Sequence, residues 1–150
     1  MKLKVLIGNI ASGKTSYREG IPEHYLISRD RWRYNIGLGS YVWNPDLEPG
    51  ITRCCKAELK LAIEAGLDII VDETNMSRAS RKWVLDMVPD TYTKEAIVFP
   101  NMGENEHVKR RLGCNHGNTS EETWRRVYRR KNKSYQAPTT AEGFDEITFL

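Results

Sequence analysis

Short apolar runs bounded by turn signals alternate along the chain with stretches whose apolar residues recur every three to four positions. KLKVLIG (2–8), HYLIS (24–28), LDIIVD (67–72), EAIVF (95–99) and the final EITFL show the first pattern and predict strands. In KLKVLIG the apolar positions become consecutive, as in a strand buried on both faces of a parallel sheet. A helix opens at Gly13 and runs to about Arg18. ITRCCKAELKLAIEA (51–65) sets Cys55, Leu59, Ala62 and Ile63 on one helical face, with Gly66 as its stop. SRASRKWVLDMV (77–88) does the same with Trp83, Val84, Met87 and Val88. Another helix begins near Glu104, GCNHGN (113–118) breaks it, and SEETWRRVYRRKN resumes with Ser120 as N-cap. Gly37, Gly39, Pro45, Pro49 and Gly50 mark a long irregular loop, a place where function concentrates. Strands alternating with helices predict a three-layer α/β domain with a mainly parallel sheet. Ligands of such sheets lie beyond the carboxyl ends of the strands.

Length and composition fit one domain spanning 1–150, with 39% hydrophobic and 29% charged residues. No apolar run approaches the ~20 residues that cross a bilayer. The basic N-terminus carries only Val5 to Ile7 before glycine intervenes, too short for a signal core. Cys54, Cys55 and Cys114 form neither a disulfide framework nor a zinc pattern, so reduced thiols and a cytoplasmic location are expected. The net charge of +3 is unevenly spread: residues 107–133 carry nine Lys and Arg against two Glu. That segment suits a polyanionic partner or a solvated helix face equally well.

The chemistry begins at VLIGNIASGKTS. Gly8, Gly13, Lys14 and Thr15 fit G-x-x-x-x-G-K-[ST], with a strand before and a helix after, the context of a phosphate-binding loop. Gly8, Asn9, Ile10, Ala11, Ser12, Gly13, Lys14, Thr15 and Ser16 would cradle a nucleotide triphosphate. Lys14 would reach the β- and γ-phosphates, and Thr15 would ligate Mg²⁺. SRDRWR follows the second strand and places Asp30 at the same sheet edge, among Arg29, Arg31 and Arg33. A carboxylate there can take the proton of an acceptor hydroxyl, or it can simply cap a helix starting at Arg31. IIVDETN ends the third strand. Asp72 suits the Mg²⁺ shell opposite Thr15, while Thr74 and Asn75 offer hydrogen bonds to an acceptor.

VLIGNIASGKTS, ISRDRWR and VDETNMSRASRKW resemble the kinase domain of the phage-type polynucleotide 5′-kinase family, within the P-loop kinases of nucleoside-monophosphate-kinase type. The likeness extends through a basic lid to EGFDEI. It implies a five-stranded parallel sheet with helices on both faces and a helical lid at about 109–117. It also implies transfer of the ATP γ-phosphate to the 5′-hydroxyl end of DNA or RNA, in nucleic acid end repair. The resemblance makes Asp30 the general base, Arg33 the ligand of the acceptor's 3′-phosphate, and lid arginines the contacts to ATP. Here the sequence departs from the family: Arg110 and Arg111 are adjacent, and Cys114 stands where a second arginine is usual. Arg110 is the expected catalytic lid residue, with Arg111 as its substitute. Gly113 and Gly117 would be hinges. Neither a phosphatase activity from this domain, nor a membrane, nor an obligate protein partner is expected.

Tyr34, Tyr41 and Trp43 in the irregular loop would stack on an acceptor base or pack down as a cover. Arg125 and Arg129, with Arg126 and Arg130 beside them, form two rows of charge on one helix. Trp124, Val127 and Tyr128 form its packing side. His24, His107 and His116 read as structural or exposed. Two further functions remain open on the residues alone: a kinase of a small-molecule hydroxyl, and a nucleotide-binding switch or nucleic-acid binder without catalysis.

Overall fold

The computed structural model describes residues 1–150. Five strands, β1 (Lys2–Ile7), β2 (Tyr25–Ile27), β3 (Ile69–Asp72), β4 (Thr93–Val98) and β5 (Glu146–Phe149), form one sheet in the order β2-β3-β1-β4-β5. Every neighbouring pair is parallel, and Val5 at the centre faces Val71 on one side and Ala96 on the other. The helices are α1 (Lys14–Glu19), α2 (Arg29–Ile36), α3 (Glu48–Glu64), α4 (Arg78–Met87), α5 (Glu104–Leu112) and α6 (Glu121–Lys133). No helix is long and apolar enough to cross a membrane.

The two-residue period of the strands sorts their side chains into two layers. Leu3, Val5 and Ile7 pack with Ile51, Cys55 and Leu59 of α3 and Val84 of α4. Leu6, Ile70 and Ile97 point to the other face, against Phe99 and, from α1, Tyr17. A third cluster joins Val108 of α5 with Trp124 and Tyr128 of α6 and reaches Ile10 in the loop after β1. The phosphate loop is thereby roofed by the α5–α6 pair.

Two boundaries differ from the sequence reading. Pro49 and Gly50 stand inside the first turn of α3, not in the irregular loop. Proline has no N–H to lose at that position and its fixed φ suits a helix start, so the helix gains Glu48. Likewise α2 begins at Arg29, and its cap is Ser28, whose Oγ accepts from the Arg31 N–H. Asp30 therefore lies in the first turn of α2 with its carboxylate free of capping duty. Ser120 caps α6 as its position implies, and Ser77 caps α4. Gly66, at φ +66°, follows the end of α3 in a conformation that side chains disfavour.

Candidate active site

The loop 8–15 leaves β1 at the carboxyl edge of the sheet. Gly8 N–H donates to Thr74 O at 3.0 Å, which fastens the loop to the segment after β3. A Cβ on Gly8 would fall 2.5 Å from Ser12 Oγ and 2.9 Å from Phe99 Cβ, so only glycine fits there. Ala11 at φ 50° and Gly13 at φ 101° curl the backbone into the concave form that presents successive N–H groups to an anion. Lys14 is buried, and its ammonium donates to Gly8 O (2.9 Å), Asn9 O (2.7 Å) and Ser12 Oγ (3.1 Å). Burial pulls its pKa down to about 8, against the opposing charge of Asp72. Ser16 is exposed on α1.

Two side chains, His107 and Asn9, hold this loop in place. His107 is fully buried; its Nδ1 lies 2.6 Å from Ile10 O and its Nε2 accepts from Met102 N–H at 3.1 Å. Burial lowers its pKa, so the neutral ring donates through Nδ1 and accepts through Nε2. Asn9 spans to α6, donating to Tyr128 O at 3.1 Å.

Thr15 and Asp72 face each other, Oγ1 to Oδ2 at 3.4 Å, which is the pair expected around Mg²⁺. Asp72 also accepts from Arg18 Nε at 2.8 Å, a partner 54 residues away that no spacing argument could supply. Asn75 is nearly fully buried at φ 48° and spends its amide on Leu6 O at 2.8 Å; its Oδ1 has no partner. Its first duty is to hold β3 to β1. Thr74 lines the adjoining cleft.

Asp30 is gripped from two sides. Arg33 Nη1 donates to Oδ1 at 2.7 Å, and His116 Nε2 lies 3.4 Å from Oδ2. Burial disfavours its ionised form, but His116 and Arg33 outweigh burial and hold the carboxyl well below the usual carboxylate range. His116 belongs to the connection between α5 and α6, which reaches over α2. It stacks near Tyr41, ring centroids 4.9 Å apart, while Tyr34 OH donates to Asn115 O. Tyr34, which belongs to α2 and not to the irregular loop, and Tyr41 thus pack down under this connection, while Trp43 stays mostly exposed.

The arginines divide in ways their spacing conceals. Arg33 carries two carboxylates: Nε and Nη2 bind Glu48 at 2.9 and 2.8 Å, and Nη1 binds Asp30. Arg29 pairs with Glu73 at 3.2 Å and Glu48 at 3.5 Å. Arg31 turns away to Glu58 on α3. In the lid, Arg110 lies outside the cleft, ion-paired with Glu106 at 2.7 Å and half exposed. Arg111 is the one that enters it, its guanidinium 4.6 Å from the Trp124 ring centroid and its buried Nε without a partner. At the C-terminal end of α5 a shift of one residue rotates a side chain by about 100°, so Arg111, not Arg110, takes the inward direction here.

Arg29, Arg33 and Arg111 border a cleft of about 760 Å³, large enough for a nucleotide, with Asp30, Asp72, Thr74 and Asn75 on its floor and α6 along one wall. A phosphate loop feeding a parallel sheet of this order, with an acidic strand end facing the loop threonine, is the architecture of a P-loop kinase. Residues 3–138 match the family described as AAA domain (AAA_33), and the chain belongs to it. Solved structures of similar fold include a chain of the Pnkp1/Rnl/Hen1 complex, at 24% identity and TM-score 0.61, covering 73% of this chain and 38% of that one. A fungal RNA kinase matches at 20% identity and TM-score 0.58, over 99% of this chain and 74% of its own. A gluconokinase from Sinorhizobium meliloti 1021 matches at 15% identity and TM-score 0.59, over 99% and 81%. The chain spans well under half of the first of these, and at such identities the likeness is one of fold. No curated protein matches the chain significantly.

Proposed function

We propose that this domain transfers the γ-phosphoryl group of ATP to the 5′-hydroxyl end of a DNA or RNA strand, as the resemblance to phage-type polynucleotide 5′-kinases implies. The observation that carries the reading is Asp30, held by Arg33 and His116 within a nucleotide-sized cleft that also contains Asp72 and adjoins the phosphate loop. The loop residues suit a triphosphate, since its glycines admit no side chain at Gly8 and Lys14 is held beneath it. Thr15 and Asp72 are the residues that would hold Mg²⁺, which when bound supplies positive charge to the phosphate oxygens.

The chain's own groups then divide the work. Lys14 and Arg111 offer cations to the transferring phosphoryl group. Arg33 and Glu48 fix the orientation of Asp30. Asp30 accepts the 5′-hydroxyl proton as the γ-phosphorus binds the 5′-oxygen and its bond to the β–γ bridging oxygen breaks, releasing ADP. The end of α5, with Arg111, and the connection that follows it, with His116, cover the cleft and keep water out.

Transfer of label from γ-labelled ATP to a panel of acceptors tests this directly. Label on 5′-hydroxyl DNA or RNA oligonucleotides, and none on 5′-phosphorylated controls, is the expected result. Label only on a nucleoside or a small alcohol would replace the reading with a small-molecule kinase, the second function that the fold of gluconokinase-like neighbours accommodates.

Lys14 gives a pH signature. Its pKa of about 8 in the free protein must rise when a polyanion settles beside it, because opposite charge favours the ammonium. Well below pH 8 the lysine is already charged and ATP binding moves almost no proton through it. Above pH 8 binding takes up to about one proton, so affinity falls by up to ~tenfold per pH unit until the bound-state pKa is reached. Calorimetry at pH 9 in two buffers of different ionisation enthalpy should show that uptake. Binding that is proton-neutral at pH 9 would refute it.

A further inference from the structure

The sequence places four arginines on α6 as two equivalent rows, and the fold makes them unequal. Arg125 pairs with Glu121 at 2.7 Å and Glu104 at 3.1 Å, and Arg129 pairs with Glu104 at 2.8 Å. That row bolts α6 to α5 and is largely neutralised. Arg126 and Arg130 lie one residue further round, with Lys131, and all three line the cleft. None of the three has a carboxylate within ion-pair distance; Arg126 touches only Thr123 Oγ1, at 3.3 Å. On the opposite side of the cleft, Arg29 and Arg33 are already saturated by Glu48, Glu73 and Asp30.

A ligand phosphate entering the cleft therefore finds Arg33 occupied and the α6 wall free. Arg126 and Arg130 are one turn apart, about 6 Å along the helix axis, the scale of one nucleotide step in an extended strand. Trp43 and Trp83 line the same cleft and offer flat apolar faces, which suit bases whatever their sequence. Resting on the polynucleotide reading above, we infer that Arg126, Arg130 and Lys131 form a track for the backbone phosphates beyond the first nucleotide, so that the preferred acceptor is a strand of two or more nucleotides.

The test compares two double variants of one helix. Arg126→Ala/Arg130→Ala removes the free row, and Arg125→Ala/Arg129→Ala removes the same formal charge from the paired row. Each is measured for anisotropy-detected binding of a 5′-hydroxyl, 3′-fluorescein octanucleotide over a salt series, and for kcat/KM on that octanucleotide and on a nucleoside 3′-monophosphate. The free-row variant should bind the octanucleotide about tenfold or more weakly, with a salt dependence shallower by about 1.4 in log–log slope, ~0.7 per lost single-strand phosphate contact. Its kcat/KM on the nucleoside 3′-monophosphate should stay within about twofold of the wild type, and melting curves check that both variants fold. Equal weakening by the two variants would mean bulk charge rather than a track, and overturn the inference. Unchanged octanucleotide binding by the free-row variant, or an equal loss on the single nucleotide, would overturn it too. Wild-type protein that binds the octanucleotide through the free row but phosphorylates neither acceptor would overturn the kinase reading while supporting the track.

Discussion

Asp30→Asn should lower kcat for phosphoryl transfer by about 10²- to 10⁴-fold, the range for loss of a positioned general base, with the ATP dissociation constant within about twofold of the wild type. The substitution is almost isosteric, and each contact has a substitute. The amide oxygen can still accept from Arg33 Nη1. The amide nitrogen can donate to His116 Nε2 once the ring proton moves to Nδ1, a buried atom with no partner, so that this contact is kept at a modest cost. Folding should therefore survive, and unchanged thermal melting checks that. The low carboxyl pKa does not argue against the role: in a loose transition state the acceptor hydroxyl sheds its proton late, so a carboxylate that is always ionised and well aimed suffices. It also means that Asp30 is charged at any pH above about 4, and an acid limb near pH 6 in the rate profile would have to come from another group. Full turnover of Asp30→Asn at saturating acceptor would remove Asp30 from the chemistry.

What could be read without coordinates was whatever sits next to a strand end. The phosphate loop, Asp30 and Asp72 each follow an apolar run directly, and in a parallel sheet all strands deliver their carboxyl ends to one edge. Glycine spacing located the loop for the same reason: only a backbone free of Cβ can curl at Gly8 and Gly13. The partners of those residues were hidden because tertiary packing, not spacing, selects them. Glu48 is 15 residues from Arg33 and lay in a stretch that Pro49 and Gly50 made look irregular. Arg18 reaches Asp72 across the edge between β1 and β3. His116 meets Asp30 only because the α5–α6 connection folds over α2. On α6 the identical residue type at neighbouring positions hid two roles, and what separates them is Glu104 on another helix. Arg110 and Arg111 differ in the same way. Charge composition marked a cationic segment, but direction and pairing decide which charges remain available.

Arg81→Met should be among the most destabilising single substitutions in the chain, at about 3–5 kcal/mol, the cost of removing one partner from a buried ion pair. Arg81 is fully buried on α4. Its Nε and Nη2 bind the two oxygens of Glu142 at 2.9 and 2.8 Å, and Nη1 donates to Asn75 O at 2.9 Å and Gln136 O at 3.0 Å. One guanidinium thus ties three places: helix α4, the end of β3 where Asn75 and Thr74 border the cleft, and the segment 136–142 that returns the chain to β5. Glu142 is itself enlisted, accepting from Thr139 N–H at 3.1 Å in the cap of the short 3-10 turn Thr140–Glu142. Methionine fills the stem of arginine but leaves two carbonyls without their donor, and leaves the half-buried Glu142 carboxylate only the Thr139 N–H and the more exposed Arg78, 3.5 Å away. At roughly 2–4 °C per kcal/mol for a domain of this size, melting should fall by about 6–20 °C. The charge argument has its own control in Arg81→Met/Glu142→Leu, where no carboxylate is stranded and more than half of the lost stability should return. If the double variant melts no higher than the single one, the carbonyl contacts rather than the ion pair hold these elements together. Because Asn75 O is one of those contacts, any Arg81 variant that still folds should also show weakened acceptor binding, although no atom of Arg81 lines the cleft.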